Sequence, residues 1–264
     1  MNKVIMAEFG RTINAGLIIA IAGIIFSICF DSFNDLIAGL RNGQGYVGYF
    51  FSNAAFGGMC TKYMLPVFTA LPFSVSLCQE RNNKAVSYIV SREGKNRYIF
   101  AKFIVSAISG GFVAACGTVL LFLMLAMRFP IAGDEFEGAV VSDYFHEWSA
   151  VYYPQLYILT LSILAFCRGV IWSSLALCVS LYTSDFMVVL LSPFLGSYVL
   201  VRIFQIIRVP DMVRPDMILI GQVVIKSSGL TLIIAIAISL TIVTLIGAFF
   251  VGKMKEGLKS GTIY

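Results

Sequence analysis

The sequence predicts an all-α protein that crosses a bilayer several times, and three observations carry that prediction. Of its 264 residues, 59% are hydrophobic and only 12% are charged. A water-facing surface of that size ordinarily needs about a quarter charged residues. Six apolar runs approach or exceed the roughly 20 residues that span a hydrocarbon core of about 30 Å. Lysine and arginine also gather between alternate runs, the bias that sets membrane orientation.

The runs are 14–30, 60–78, 102–127, 153–182, 186–206 and 229–252, in one transmembrane domain over 1–264. Each is expected to be helical, because hydrocarbon offers no partner to unpaired backbone groups. Ahead of them, "MNKVIMAEFGRT" interleaves Val4, Ile5 and Phe9 with Lys3, Glu8 and Arg11. That pattern suits a short amphipathic helix lying on the inner surface; a frayed polar tail is the competing reading. The first run is followed by "CFDSFND" and no A-x-A site, so it reads as a retained span rather than a signal peptide.

The second run holds Pro66 and Pro72 and is expected to bend. In the third, "SAISGGFVAACG" sets Ser106, Gly110 and Ala114 four residues apart, a helix-packing face that lets two backbones approach. In the fourth, "LSILAFCRGVIWSSLALC" puts Arg168 near mid-span. Insertion there costs about 3 kcal/mol, which the surrounding apolar residues offset at about 0.3–0.6 each. Arg168 must then face protein or water. Two roles stay open for it: a structural one, held by carbonyls and hydroxyls such as Ser162 or Ser173, or a translocation pathway meeting an anionic substrate or lipid headgroup. Between the last two runs, "VPDMVRPDM" carries two prolines and cannot be a regular helix throughout; it caps the outer face or dips into it.

With the N-terminus inside, the inner segments carry eleven basic residues and the outer ones seven. The outer segment after the third run is acidic (Asp134, Glu135, Glu137, Asp143, Glu147). Tyr144, Trp148, Tyr152 and Tyr153 stand where an interfacial aromatic belt would. The expected location is the cytoplasmic membrane, with both termini in the cytoplasm.

The six cysteines read as small buried hydrophobes; Cys29 and Cys60 could meet near the outer face, though nothing further supports a pair. The one histidine, His146, lies in the acidic segment, so no metal site is expected. No G-x-x-x-x-G-K-[ST] loop occurs, and no paired carboxylates lie within the runs. An enzyme acting alone is not expected, nor a nucleic-acid partner, and any energy source is expected on another polypeptide.

One polar stretch breaks the pattern, "CQERNNKAVSYIVSREGKNRYIFAK", with six basic side chains against two acids. Inside it Ala85, Val86, Ile89 and Val90 recur at i, i+1, i+4 and i+5, one apolar face on a cationic helix. Such a face must press against something, either the membrane surface or a partner protein.

Here a family resemblance enters. "LPVFTALPFSVSLCQERNNKAVSYIVSREGKNRYIFAKFIVSAISGG" resembles the permease subunits of type-2 ATP-binding-cassette exporters, small bacterial ones above all, through Glu80, Arg81, Tyr88, Ile89, Arg92, Tyr98 and Lys102. "GVIWSSLALCVSLYTSDFMVVLLSPFLGSY" is similar to their fourth and fifth spans through Gly169, Trp172 and Pro193. Asn83, in place of a small residue, and Arg168 depart from the pattern.

The resemblance implies a cytoplasmic coupling loop over 79–101 that docks on a separate ATPase subunit. Glu80 and Arg81 would anchor it, while Tyr88, Ile89, Val90 and Arg92 would meet the partner. It also implies that ATP and Mg sit on that subunit and no cofactor on this chain. A second permease, identical or related, would complete the pathway. Peptides, antimicrobial compounds, lipids and polysaccharide precursors all remain open as cargo. The alternatives are a non-transporting immunity or sensor protein and an independent channel or carrier.

Overall fold

The computed structural model describes residues 2–42, 47, 50, 58–130, 154–221, 223, 225 and 227–260. Among them every regular element is helical. The acidic and aromatic outer residues expected from Asp134 to Tyr153, His146 included, lie outside the described residues.

Helix α1 (Asn2–Thr12) leads to α2 (Ala15–Asp31) through a bend of 58°. The bend is built locally: the Asn14 side chain accepts from the Leu17 amide at 3.1 Å, capping α2. Helix α3 (Phe33–Asn42), which falls outside the six apolar runs, leaves Phe33, Ile37 and Leu40 exposed while Leu36 packs on the core.

The run 60–78 departs from expectation. It is not one bent helix but two short ones, α4 (Met59–Ala70) and α5 (Ser76–Asn82). Pro72 lies in the break, where its missing N–H and its ring both oppose helix. The break is held by Ser74, whose hydroxyl lies 3.0 Å from that of Ser106 and 2.9 Å from the Ser173 carbonyl. At the other end, Asp31 caps α4 by accepting from the Cys60 and Thr61 amides at 3.0 and 2.6 Å. Cys29 and Cys60 are free thiols.

The expected loop 79–101 is likewise helical for most of its length. It contains the end of α5, then α6 (Val86–Glu93), then the first turns of α7 (Lys95–Ala126). At 32 residues α7 is about 48 Å long. It is therefore longer than the roughly 30 Å of a hydrocarbon core.

Helix α8 (Pro154–Val179) is followed by a tight turn and by α9 (Phe186–Ile207), whose N-cap Asp185 accepts from the Met187 amide at 2.8 Å. The proline segment forms a 3-10 turn (Asp211–Val213) and α10 (Pro215–Ile220), which buries Ile218, Leu219 and Ile220 in the main core. The chain closes with α11 (Ser228–Ser260).

Among the described residues, α7, α8, α9 and α11 are each long and apolar enough to cross a membrane, and the bent α1–α2 pair makes a fifth if taken as one span. The interior is organised around α7 and α8, which share the largest contact in the bundle. They cross at glycine. A Cβ at Gly169 would lie 2.4 Å from the Gly110 carbonyl oxygen, and one at Gly110 would lie 2.3 Å from the Ser173 Cβ. Ser106, Gly110 and Ala114 are all buried on this face.

Candidate functional site

The polar groups of the bundle gather where α1, α5 and α7 meet. Lys102, in the second turn of α7, is fully buried. An ammonium in such a place must spend all three of its protons on acceptors. It does: Glu80 Oε1 at 2.8 Å, Glu8 Oε2 at 3.0 Å and Ser76 Oγ at 3.2 Å. The Nζ also stands over the Phe73 ring, 4.7 Å from its centroid.

Glu80, at 3% exposure, is the hub. Its Oε1 additionally accepts from Arg11 Nη1, and its Oε2 accepts from the Tyr98 hydroxyl at 2.5 Å. Arg11 in turn reaches both oxygens of Glu8, at 3.2 and 3.3 Å. Two acids and two bases thus neutralise one another. Burial by itself would raise the Glu80 carboxyl, but the Lys102 charge and the bonds from Lys102, Tyr98 and Arg11 outweigh it. The group is held below its ordinary value.

The neighbouring residue binds the other side of the bundle. Arg81 Nη1 donates to the carbonyls of Ser180, Leu181 and Thr183 at 2.9, 3.2 and 3.4 Å, just past the C-terminus of α8. Carbonyls left unpaired at a helix end attract cations. The Asn82 side chain adds a bond to the Ser184 carbonyl at 3.2 Å. A single step along α5 therefore ties the polar segment to α1 and α7 through Glu80 and to the α8–α9 turn through Arg81.

These positions show how much of the expected docking surface is already engaged within the chain. Both carboxylate oxygens of Glu80 are bonded within this chain. Val90 is buried and Ile89 packs against the same cluster as Val86, Leu77, Tyr98, Leu177 and Phe250. The bundle itself covers the Val86 and Val90 side of the α6 stripe and leaves Ala85 and Ile89 partly exposed. Of the expected contact residues, Tyr88 and Arg92 remain outside: Tyr88 is 71% exposed and the Arg92 side chain 69%. The turn into α6 is strained, with Lys84 at φ 54°, a region that L side chains avoid.

Glu8, Arg11 and Ser76 are the members that sequence reasoning did not assign to the site. One signal pointed to them. Lys102 opens a long apolar run, and a lysine so placed calls for carboxylates, for which Glu8, Glu80, Asp185 and Glu256 all stand near the inner ends of runs.

Arg168 stands apart from this cluster, on α8. Twelve residues separate it from Ser180, or roughly 18 Å of helix. Neither hydroxyl expected to hold it does so: Ser162 bonds the Ile158 carbonyl and Ser173 the Val170 carbonyl. Its Nε is buried without a hydrogen-bond partner among the described residues. It lines a cavity of about 130 Å³ that Lys62 and Asp216 also border.

No protein-family model matches this chain, and no curated protein or solved structure matches it.

Proposed function

We propose that this chain is the membrane subunit of a type-2 ATP-binding-cassette exporter in the cytoplasmic membrane, driven by a separate ATPase that docks on α5 and α6. The observation that carries the reading is the double anchorage of α5. Glu80 grips α1 and α7 through buried, charge-assisted bonds, while Arg81 grips the end of α8. A push on this segment cannot be absorbed by a floppy loop. It is delivered to three helices together, as a rigid-body switch requires.

The docking face under this reading is the exposed side of α6, with Tyr88 and Arg92 as its anchors and Lys84 and Lys95 beside them. Aromatic and arginine side chains are the usual carriers of interface energy. A groove of about 450 Å³, lined by Arg81, Tyr182, Lys253, Glu256 and Ser260, offers a further polar surface at the Arg81 end of the segment. ATP and Mg belong to the partner subunit, and a second permease copy or a related permease completes the pathway. Both termini are cytoplasmic in this arrangement.

This reading expects a P-loop ATPase to be encoded in a neighbouring gene, and the test is co-purification with that ATPase, with nucleotide hydrolysis read in the reconstituted complex. Tyr88→Ala with Arg92→Glu should abolish association while the permease still inserts and elutes as the wild type does. Undiminished association, or outward labelling of single cysteines placed at Lys84 and Lys95 in intact cells, would overturn the proposal.

A further inference from the structure

The cavity beside Arg168 has an unusual balance of charge. Its wall is apolar, formed by Leu65, Ile171, Trp172, Leu175, Leu200 and Ile242 among others, yet two cations border it. Neither Arg168 nor Lys62 makes a side-chain hydrogen bond or an ion pair among the described residues. The one carboxylate at the rim among the described residues, Asp216, lies within electrostatic reach of Lys62 but gives its hydrogen bonds to Arg214, from which it accepts at 2.7 and 3.2 Å. On its other side Arg168 lines a second, smaller cavity of about 20 Å³, where the Thr61 hydroxyl is also buried without a partner.

An arginine stays cationic at neutral pH, and a cation half-buried like Arg168, with its Nε wholly enclosed, is disfavoured without a counter-ion. Cationic groups that face a low-dielectric space and are unpaired among the described residues are therefore a site for an anion that those residues do not supply. A small hydrated anion does not fit this wall, which would leave most of its surface without polar partners. The wall asks for hydrocarbon and the cations ask for a negative head.

We propose that the Arg168–Lys62 cavity binds an anionic amphiphile, a phosphate or carboxylate head on a hydrocarbon body, with the head on Arg168 and Lys62 and the body against Trp172 and Leu175. Under the exporter reading this is the chemistry of the cargo. Binding needs no ATPase, so its test and the docking test fail separately.

Trp172 makes the site observable. The chain has two tryptophans, Trp148 and Trp172, so Trp148→Phe leaves the cavity residue as the sole fluorophore. The full chain in phosphatidylcholine nanodiscs is titrated with ω-bromoundecyl phosphate, with a brominated phosphatidic acid, and with ω-bromoundecanol. Inorganic phosphate is added as competitor. Saturable quenching is expected from a phosphate amphiphile, the single-chain or the bilayer form that produces it identifying the source. Arg168→Gln should weaken it at least about tenfold, the loss of a charge-assisted bond, and Lys62→Gln should weaken it to a smaller extent. Lys62→Gln keeps the test intact should Arg168→Gln not fold. Equal quenching by the alcohol, displacement by inorganic phosphate alone, or unchanged titration in the variants would overturn the proposal.

Discussion

Lys102 Nζ lies 2.8 Å from Glu80 Oε1, and both side chains are buried, at 0% and 3% exposure. Removing one member leaves the other charged in a dry environment, which costs about 3–5 kcal/mol. Lys102→Met is therefore expected to destabilise the protein by about that amount. The double variant Lys102→Met with Glu80→Gln should regain a large part of it. Thermal unfolding in detergent checks both, and strict additivity of the two single effects would show that the pair is not coupled.

The same hub sets an acid limb. Glu80 titrates below its ordinary value in the folded protein, so the unfolded chain binds the proton more readily. Its contribution is present in full above the ordinary glutamate value of about 4.3 and is lost as pH falls from there through the lower folded value. Glu80→Gln should flatten that limb of the stability profile, at the cost of a less stable protein at neutral pH.

The crossing of α7 and α8 leaves no room for a methyl group. Gly169→Ala would drive a Cβ against the Gly110 carbonyl, a backbone atom that cannot swing aside. A loss of about 1–3 kcal/mol, or failure to fold, is expected. Gly252→Ala serves as the contrast. Nothing lies within 4 Å of a Cβ there, and replacing a mid-helix glycine should stabilise by about 0.5–1 kcal/mol.

Lys84 sits at φ 54° in the turn between α5 and α6. Glycine adopts that conformation without a Cβ penalty, so Lys84→Gly should raise stability by up to about 1 kcal/mol. Under the docking proposal it should also remove one cation from the partner-facing side. Thermal unfolding reads the first effect and salt-dependent co-purification the second.

Some of the site was legible in the sequence and some was not, for identifiable reasons. The small-residue face of Ser106, Gly110 and Ala114 was visible because helix periodicity is local. The break in the run 60–78 was only half visible. Two prolines announce a disturbance, but the choice between a kink and two separate helices depends on Ser74 finding partners on α7 and α8. The stripe of Val86, Ile89 and Val90 announced a covered face. Periodicity states that such a face needs a cover and says nothing of what supplies it, and here the bundle does.

What the sequence by itself determined is the material: a helical chain of bilayer-length apolar runs, one cationic amphipathic insert and a mid-run arginine. Only the tertiary structure decided the pairing. Glu8 and Lys102 stand 94 residues apart in the chain, and nothing in local composition says which carboxylate meets which ammonium. Buried charge is tolerated only with a partner at bonding distance, and that distance is set by how α1, α5 and α7 pack. The same packing left Arg168 unpaired among the described residues, beside a largely apolar cavity.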